Sequence, residues 1–208
     1  MTTELTTHRC GDTGLLVELG DNDRVHALAA AVRAGDIEGI TDLVPALNTL
    51  LLVLDPETTS PADVDARLRD LDVVPLPSGD RRTIEIPVVY DGEDLAWVAS
   101  HCGLEEREIV RAHTEQPWRV AFCGFAPGFA YLVGGDPRLN VPRRGESRVA
   151  VPAGAVAIAG EFSAVYPRRS PGGWQLLGHS DEPMWDTAAD PPALLVPGYE
   201  VRFRETAG

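Results

Sequence analysis

Past Arg119 the apolar residues lose their helical period, and strand-like runs take over to the end of the chain. These runs lie at Arg119–Cys123, Arg148–Val151, Ala155–Ala159, Trp174–Gly178, Ala193–Val196 and Glu200–Arg204, punctuated by proline and glycine. Proline and glycine break helices and mark turns between strands. A segment patterned this way cannot bury its apolar side chains as a helix bundle, so it has to pair strands into a small β-barrel or sandwich. Just upstream, Thr83–Tyr90 reads as another strand, and Asp94–Cys102 and Leu104–His113 read as two short helices parted by Gly103.

The first 80 residues are patterned differently. Leu15–Leu19 is a short apolar strand. Asp21 or Asn22 can cap a helix carrying Val25, Leu28, Ala29 and Val32, stopped by Gly35. Asn48–Leu54 is strand-like, and Ser60-Pro61 starts a second helix with Val64, Leu68 and Leu71 on one face. Strand, helix, strand, helix predicts a small open-faced α+β sandwich. The stretch Pro75–Asp80 reads as a linker, which divides the chain into residues 1–80 and 81–208. The charge divides there too: 15 acids against 5 arginines before it, 17 against 13 after it.

All 18 basic residues are arginine; the chain contains no lysine. A P-loop, a protein-kinase strand lysine and a Schiff-base amine are therefore beyond this chain alone. The net charge of −14 disfavours binding to nucleic acid or anionic membranes. Leu50–Leu54 is the longest strongly apolar run, too short to span a bilayer, and the first residues show no signal-peptide pattern. Cys10, Cys102 and Cys123 are odd in number and lack CxxC spacing, so they read as reduced thiols in a cytoplasmic protein. The five histidines show no metal-ligand spacing, and no metal is expected.

Three Gly/Pro-rich stretches could carry function. In Cys123–Leu132, Phe125, Phe129 and Tyr131 surround a Pro127-Gly128 turn. They either line a small ligand or fill the barrel core. In Asp136–Pro152 and its continuation, six arginines fall between Arg138 and Arg169 against two acids. Their planar guanidinium forks suit a carboxylate, carbamate or phosphate, or else they pair with the chain's own acids or a partner's. In Tyr166–Trp174, Gly172 and Gly173 allow the backbone to approach a ligand or to turn tightly, and Ser170 lacks the neighbours of a nucleophile.

Taken in order, GFAPGFAYL, DPRLNVPRR, VPAGAVAIAG and YPRRSPGGWQLLG resemble the KipI/PxpB family, also known as allophanate hydrolase subunit 1. The likeness is dense from about Thr83 to Arg204 and runs through Pro191–Gly198. It implies an α+β N-terminal domain followed by a cyclophilin-like β-barrel domain. It also implies the PxpB-type subunit of an ATP-dependent 5-oxoprolinase, which opens 5-oxoproline to glutamate only with its partner subunits. Those partners are a KipA/PxpC-type cyclophilin-like protein (allophanate hydrolase subunit 2) and a third, PxpA-type subunit. The resemblance further implies that this chain alone binds no cofactor and that ATP is used by the assembled complex. The same resemblance leaves two other readings open: a carboxyltransferase-type subunit of a urea carboxylase or allophanate system, and a KipI-like histidine-kinase inhibitor.

Carried over by motif, the residues expected to bind substrate or partner are Phe125, Pro127, Gly128, Phe129, Tyr131, Arg143, Arg144, Arg148, Ser170, Pro171, Gly172, Gly173 and Trp174. The expected substrate is a small carboxylate or amide. No general base is assigned. The chain departs from the family pattern at Ala130, at His179 and at the turn Gly160–Ala164, where bulk and a charge replace glycines.

Overall fold

The computed structural model describes residues 5–74 and 82–207. The chain divides into two compact units, Met1–Asp80 and Arg81–Gly208. The Pro75–Asp80 linker expected from the sequence lies outside the described residues.

Unit 1 runs β1 (Thr6–Arg9), β2 (Gly14–Glu18), α1 (Asn22–Gly35), β3 (Ile40–Pro45), β4 (Thr49–Leu54) and α2 (Pro61–Arg69). The strands form one antiparallel sheet in the order β1-β2-β4-β3. Asp21 caps α1 by accepting from the Arg24 amide at 2.9 Å. Ser60 caps α2 by accepting from the Asp63 amide at 3.2 Å, with Pro61 in the first turn. Strand β4 buries alternate residues, Leu50, Leu52 and Leu54, against Val25, Leu28 and Val32 of α1 and Val64 and Leu68 of α2. The period of two on the sheet and of three to four on the helices makes this a single core. Strand β3 has no clear sequence signal, because Thr41 and Asp42 interrupt its apolar pattern at the sheet edge.

Unit 2 starts with β5 (Thr83–Val88), α3 (Leu95–Cys102) and α4 (Glu106–Glu115). Then follow β6 (Trp118–Cys123), β7 (Ala130–Val133), β8 (Arg148–Val151), β9 (Ala155–Ala159), β10 (Phe162–Val165), β11 (Ser170–Gly172), β12 (Gln175–His179) and β13 (Glu200–Glu205). Seven of these strands form a barrel-like sheet in the order β12-β9-β10-β7-β6-β13-β5, and β8 and β11 pair as a separate ribbon. The residues after β5 nearly close the barrel by running along β12. Val89 and His179 exchange backbone bonds at 2.9 Å, Gly92 donates to the Leu177 carbonyl at 3.0 Å and Asp94 donates to that of Leu176 at 3.2 Å.

Strand β9 is buried on both faces, which explains its apolar run. Val156 and Ile158 point into the barrel core with Ile86, Val120, Leu132, Leu177 and Phe203, while α3 and α4 add Val98 and Ile109. Ala155, Ala157 and Ala159 lie on the opposite face beneath a second cluster of aromatic side chains. The expected strand at Ala193–Val196 is not one. Only Ala193 bridges, to Trp185, because Pro191, Pro192 and Pro197 remove the amides a ladder needs.

Candidate functional site

The second cluster gathers the three Gly/Pro-rich stretches onto one face of the barrel sheet. Phe129, just before β7, is its centre. Its ring lies 5.2 Å from Phe125, 5.1 Å from Tyr131, 5.3 Å from Tyr166 and 5.7 Å from Trp174, all edge to face. Tyr131 stacks on Phe122 at 4.3 Å and meets Phe162 and Trp174 edge-on, each at 5.7 Å. The small alanines of β9 and Ala164 of β10 leave room for these rings. Phe129, Tyr166 and Trp174 are buried and hold the face together, Tyr131 and Phe162 are half-buried, and Phe125 is 59% exposed. Edge-to-face geometry adds about 0.5–1.5 kcal/mol per pair beyond burial, which stabilises the cluster.

The turn that carries Phe125 is itself unusual. Phe125 adopts φ 68°, a left-handed conformation that costs a non-glycine residue about 1–2 kcal/mol. Gly128 follows at φ 80°, where a Cβ would come within 2.8 Å of the Met184 carbonyl oxygen. Pro127 is exposed at the tip. The turn is therefore held in a strained form that leaves one aromatic ring facing outward.

The arginines split into two groups. Arg144 donates to Asp94 Oδ1 at 2.8 Å, and Arg148 donates to Asp94 Oδ1 and Oδ2 at 2.9 and 2.8 Å. Arg148 also reaches Glu93 at 3.2 Å and the Trp174 carbonyl at 3.4 Å. Arg138 pairs with Asp136. Arg143, Arg168 and Arg169 are exposed and join no ion pair among the described residues. Arg143 lies near the Tyr166 phenol, whose pKa burial raises and the Arg143 charge opposes. Of the three arginines expected at the site, Arg144 and Arg148 thus hold the protein's own carboxylate, and Arg143 is the one left facing outward.

Asp94 is the residue that sequence reasoning missed. An aspartate heading a helix normally caps it through its side chain, and Asp94 makes no such bond to α3. Its carboxylate instead accepts from both arginines and from the Leu176 amide at 2.7 Å. Asp94 is only 4% exposed. Burial pushes its pKa up, but the bonds from Arg148 and Leu176 and the charges of Arg148 and Arg144 outweigh this and hold it below the usual carboxylate value.

The SPGGW segment packs against the arginine loop. Arg144 donates its amide to the Gly173 carbonyl at 2.8 Å. A Cβ on Gly172 would lie 2.3 Å from the Tyr166 hydroxyl, and one on Gly173 would lie 2.9 Å from Ser147 Oγ. Close packing therefore explains both glycines. The Ser170 hydroxyl donates to the Arg168 carbonyl at 3.2 Å, and Pro171 is exposed on β11.

His113 is fully buried away from this face. The Ser163 hydroxyl donates to the Ala157 carbonyl at 3.4 Å, so Ser163 accepts from His113 Nε2 at 2.8 Å and Tyr90 donates to Nδ1 at 2.7 Å. Burial lowers the His113 pKa to about 3, so the ring is a neutral core group. Among the described residues no group of three or more His, Cys, Asp or Glu is placed to hold a metal ion, and no helix is long and apolar enough to cross a membrane.

Residues 5–195 match the carboxyltransferase domain, subdomain C and D, family model. The 5-oxoprolinase subunit designated B in Escherichia coli O157:H7 is 39% identical over 93% of this chain and 92% of its own length. The chain belongs to the PxpB family of 5-oxoprolinase subunits. The member of the same name from Bacillus subtilis is 34% identical over 98% of this chain and 93% of its own length. The crystal structure of TTHA0988 superimposes with a TM-score of 0.84 at 39% identity, covering 95% of this chain. This PxpB-family chain spans only 40% of the TTHA0988 chain. The putative urea carboxylase of Emericella nidulans is a distant relative, 31% identical over 43% of this chain and 7% of its own length.

Proposed function

We propose that this chain is the PxpB-type subunit of an ATP-dependent 5-oxoprolinase, with an N-terminal α+β domain, a cyclophilin-like barrel and a cytoplasmic location. It opens 5-oxoproline to glutamate only when assembled with a KipA/PxpC-type subunit and a PxpA-type subunit. The observation that carries this reading is the aromatic cluster around Phe129, with the exposed Arg143 close enough for its charge to act on the Tyr166 phenol, on a chain similar over almost its whole length to relatives named as 5-oxoprolinase subunits. 5-Oxoproline is a small, flat lactam with one carboxylate. An aromatic platform beside an unpaired guanidinium suits that shape and charge.

The lactam amide is stabilised by resonance, so coupling its hydrolysis to ATP is chemically reasonable. The chain holds no lysine, so any nucleotide phosphates it meets are bound by arginine, by backbone amides or by a partner's residues. The test is co-expression of this chain with both partner subunits, followed by measurement of 5-oxoproline-dependent ATP hydrolysis and glutamate release. Activity of the full set, and none from this chain alone, supports the proposal. An inactive set with all subunits folded overturns it.

A carboxyltransferase role is the second reading, favoured by the description of the matching family model. It requires a separate biotin carrier, since the chain has no lysine to accept biotin. Transfer of a carboxyl group from carboxybiotin to urea by the assembled proteins would select it.

A further inference from the structure

The closure of the barrel needs only backbone from the segment after β5. Val89, Gly92 and Asp94 all pair with β12 through main-chain bonds. The Asp94 carboxylate adds something closure does not require. Besides accepting from the Leu176 amide, it grips Arg144 and Arg148, which stand at the two ends of the exposed turn Gly145-Glu146-Ser147. One buried anion thus clamps both ends of a surface loop. The Arg144 amide is tied as well, to the Gly173 carbonyl at 2.8 Å. Arg143 is the next residue, and its backbone is fixed by a neighbour held at both main chain and side chain. Its own side chain stays exposed and outside any ion pair among the described residues. A guanidinium left unpaired in a chain of net charge −14, beside a clamp that has satisfied its two neighbours, is suited to meet an external anion.

We infer that Asp94 is a positioning residue: by clamping Arg144 and Arg148 it presents Arg143, beside Tyr166, as the group that binds the substrate carboxylate. The inference rests on the 5-oxoprolinase reading, which supplies a substrate with one carboxylate. It assigns Arg144 and Arg148 to the clamp and gives Arg143 the contact. The Asp94 carboxylate touches no substrate and acts through the loop.

The test is steady-state kinetics of the reconstituted three-subunit complex. It compares wild type, Arg143→Ala, Arg143→Lys, Arg144→Gln, Asp94→Asn and the double variant Arg143→Ala/Arg144→Gln. Losing one charged hydrogen bond to substrate corresponds to about a 10- to 100-fold rise in KM for 5-oxoproline in Arg143→Ala, with a smaller change in kcat. Arg143→Lys recovers part of it. Arg144→Gln leaves Asp94 satisfied by Arg148 and Leu176, so it keeps the test open if Asp94→Asn fails to fold. Its KM rises several-fold, and the double variant is no worse than Arg143→Ala alone. A purely structural clamp would instead lower the yield of folded complex and leave KM unchanged. Unchanged KM in Arg143→Ala or Arg144→Gln, or fully additive effects in the double variant, overturns the inference while wild-type activity still stands. A wild-type complex without activity overturns the 5-oxoprolinase reading and this inference with it.

Discussion

Gly178 of β12 faces the carbonyl of Val89 so closely that a Cβ would sit 2.1 Å from its oxygen. Gly92 makes the reciprocal approach, with a Cβ site 2.3 Å from the Leu176 carbonyl oxygen. The two glycines let the segment after β5 lie flat along β12, and the same segment delivers Asp94 to the arginine loop. The obstruction is backbone on both sides, so it cannot be relieved by turning a side chain. Gly178→Ala is expected to destabilise the chain by about 3 kcal/mol or more, at the upper end of overpacking effects. Thermal or urea unfolding of the isolated chain measures this, and a loss below about 1 kcal/mol would show that the seam does not depend on Gly178.

Breaking the clamp should separate the arginines by their burial. The Arg148 side chain is 15% exposed and is shared between Asp94, Glu93 and the Trp174 carbonyl. Removing it leaves the Asp94 carboxylate with one cation and one amide in a buried position. Arg148→Ala is expected to cost about 1.5–3 kcal/mol, the loss of charged hydrogen bonds from a buried carboxylate that keeps Arg144 and the Leu176 amide. Arg143→Ala is expected to fall within about 0.5 kcal/mol of wild type, as for exposed positions outside any network. Equal losses in the two variants, by chemical unfolding, would show that the clamp is not the stabilising element. The pKa of Asp94 lies below its ordinary value in the folded chain, so its contribution is present above about pH 4 and is lost as pH falls through the folded value.

Much of the barrel can be read from the residues, and the exceptions have local causes. Strand β9 is visible as Ala155–Ala159 because burial on both faces makes the whole run apolar. Strands β7 and β10 are not, because each is four residues long and lies beside a glycine-containing turn whose signal dominates. Leu194, Leu195 and Val196 look like a strand, but the surrounding prolines deny them a ladder. At the site, the aromatics are visible as residues but not as a cluster. Phe129 and Trp174 stand 45 positions apart and meet only once the sheet curls. Asp94 is invisible for the same reason. It lies 50 and 54 positions from its two arginines, and its place before a helix suggests an ordinary cap.

The neutral His113 makes a second, independent pH dependence. Its folded pKa is lowered to about 3 from 6.5 by burial, so the unfolded chain binds a proton there that the folded chain does not. Stability from this site is fully present above about pH 6.5 and falls progressively toward pH 3, by up to about 1.4 kcal/mol per unit. Midpoints of unfolding between about pH 7.5 and pH 5 should drop accordingly. A His113→Gln chain, though less stable overall, should lose most of that slope. An unchanged slope in the variant would place the titrating group elsewhere.

Phe125 combines two costs that a purely structural residue has no reason to bear. Its backbone is left-handed, and its ring is more than half exposed although Phe129 lies 5.2 Å away to bury it. Glycine at this position removes the backbone strain, worth about 1–2 kcal/mol, and gives up one ring contact worth about 0.5–1.5 kcal/mol. Phe125→Gly should therefore leave the stability of the free chain within about 1 kcal/mol of wild type, whereas Phe125→Ala keeps the strain and should be the less stable of the two. If the ring is an anchor for a partner protein, both variants should weaken assembly by about 30-fold or more, the size of a binding hot spot. Titration calorimetry or co-purification with the other subunits reads assembly, and thermal unfolding reads the free chain. Stability retained with assembly weakened is the expected pair of results. Assembly at wild-type affinity in both variants would remove Phe125 from the interface and leave its strain without a function.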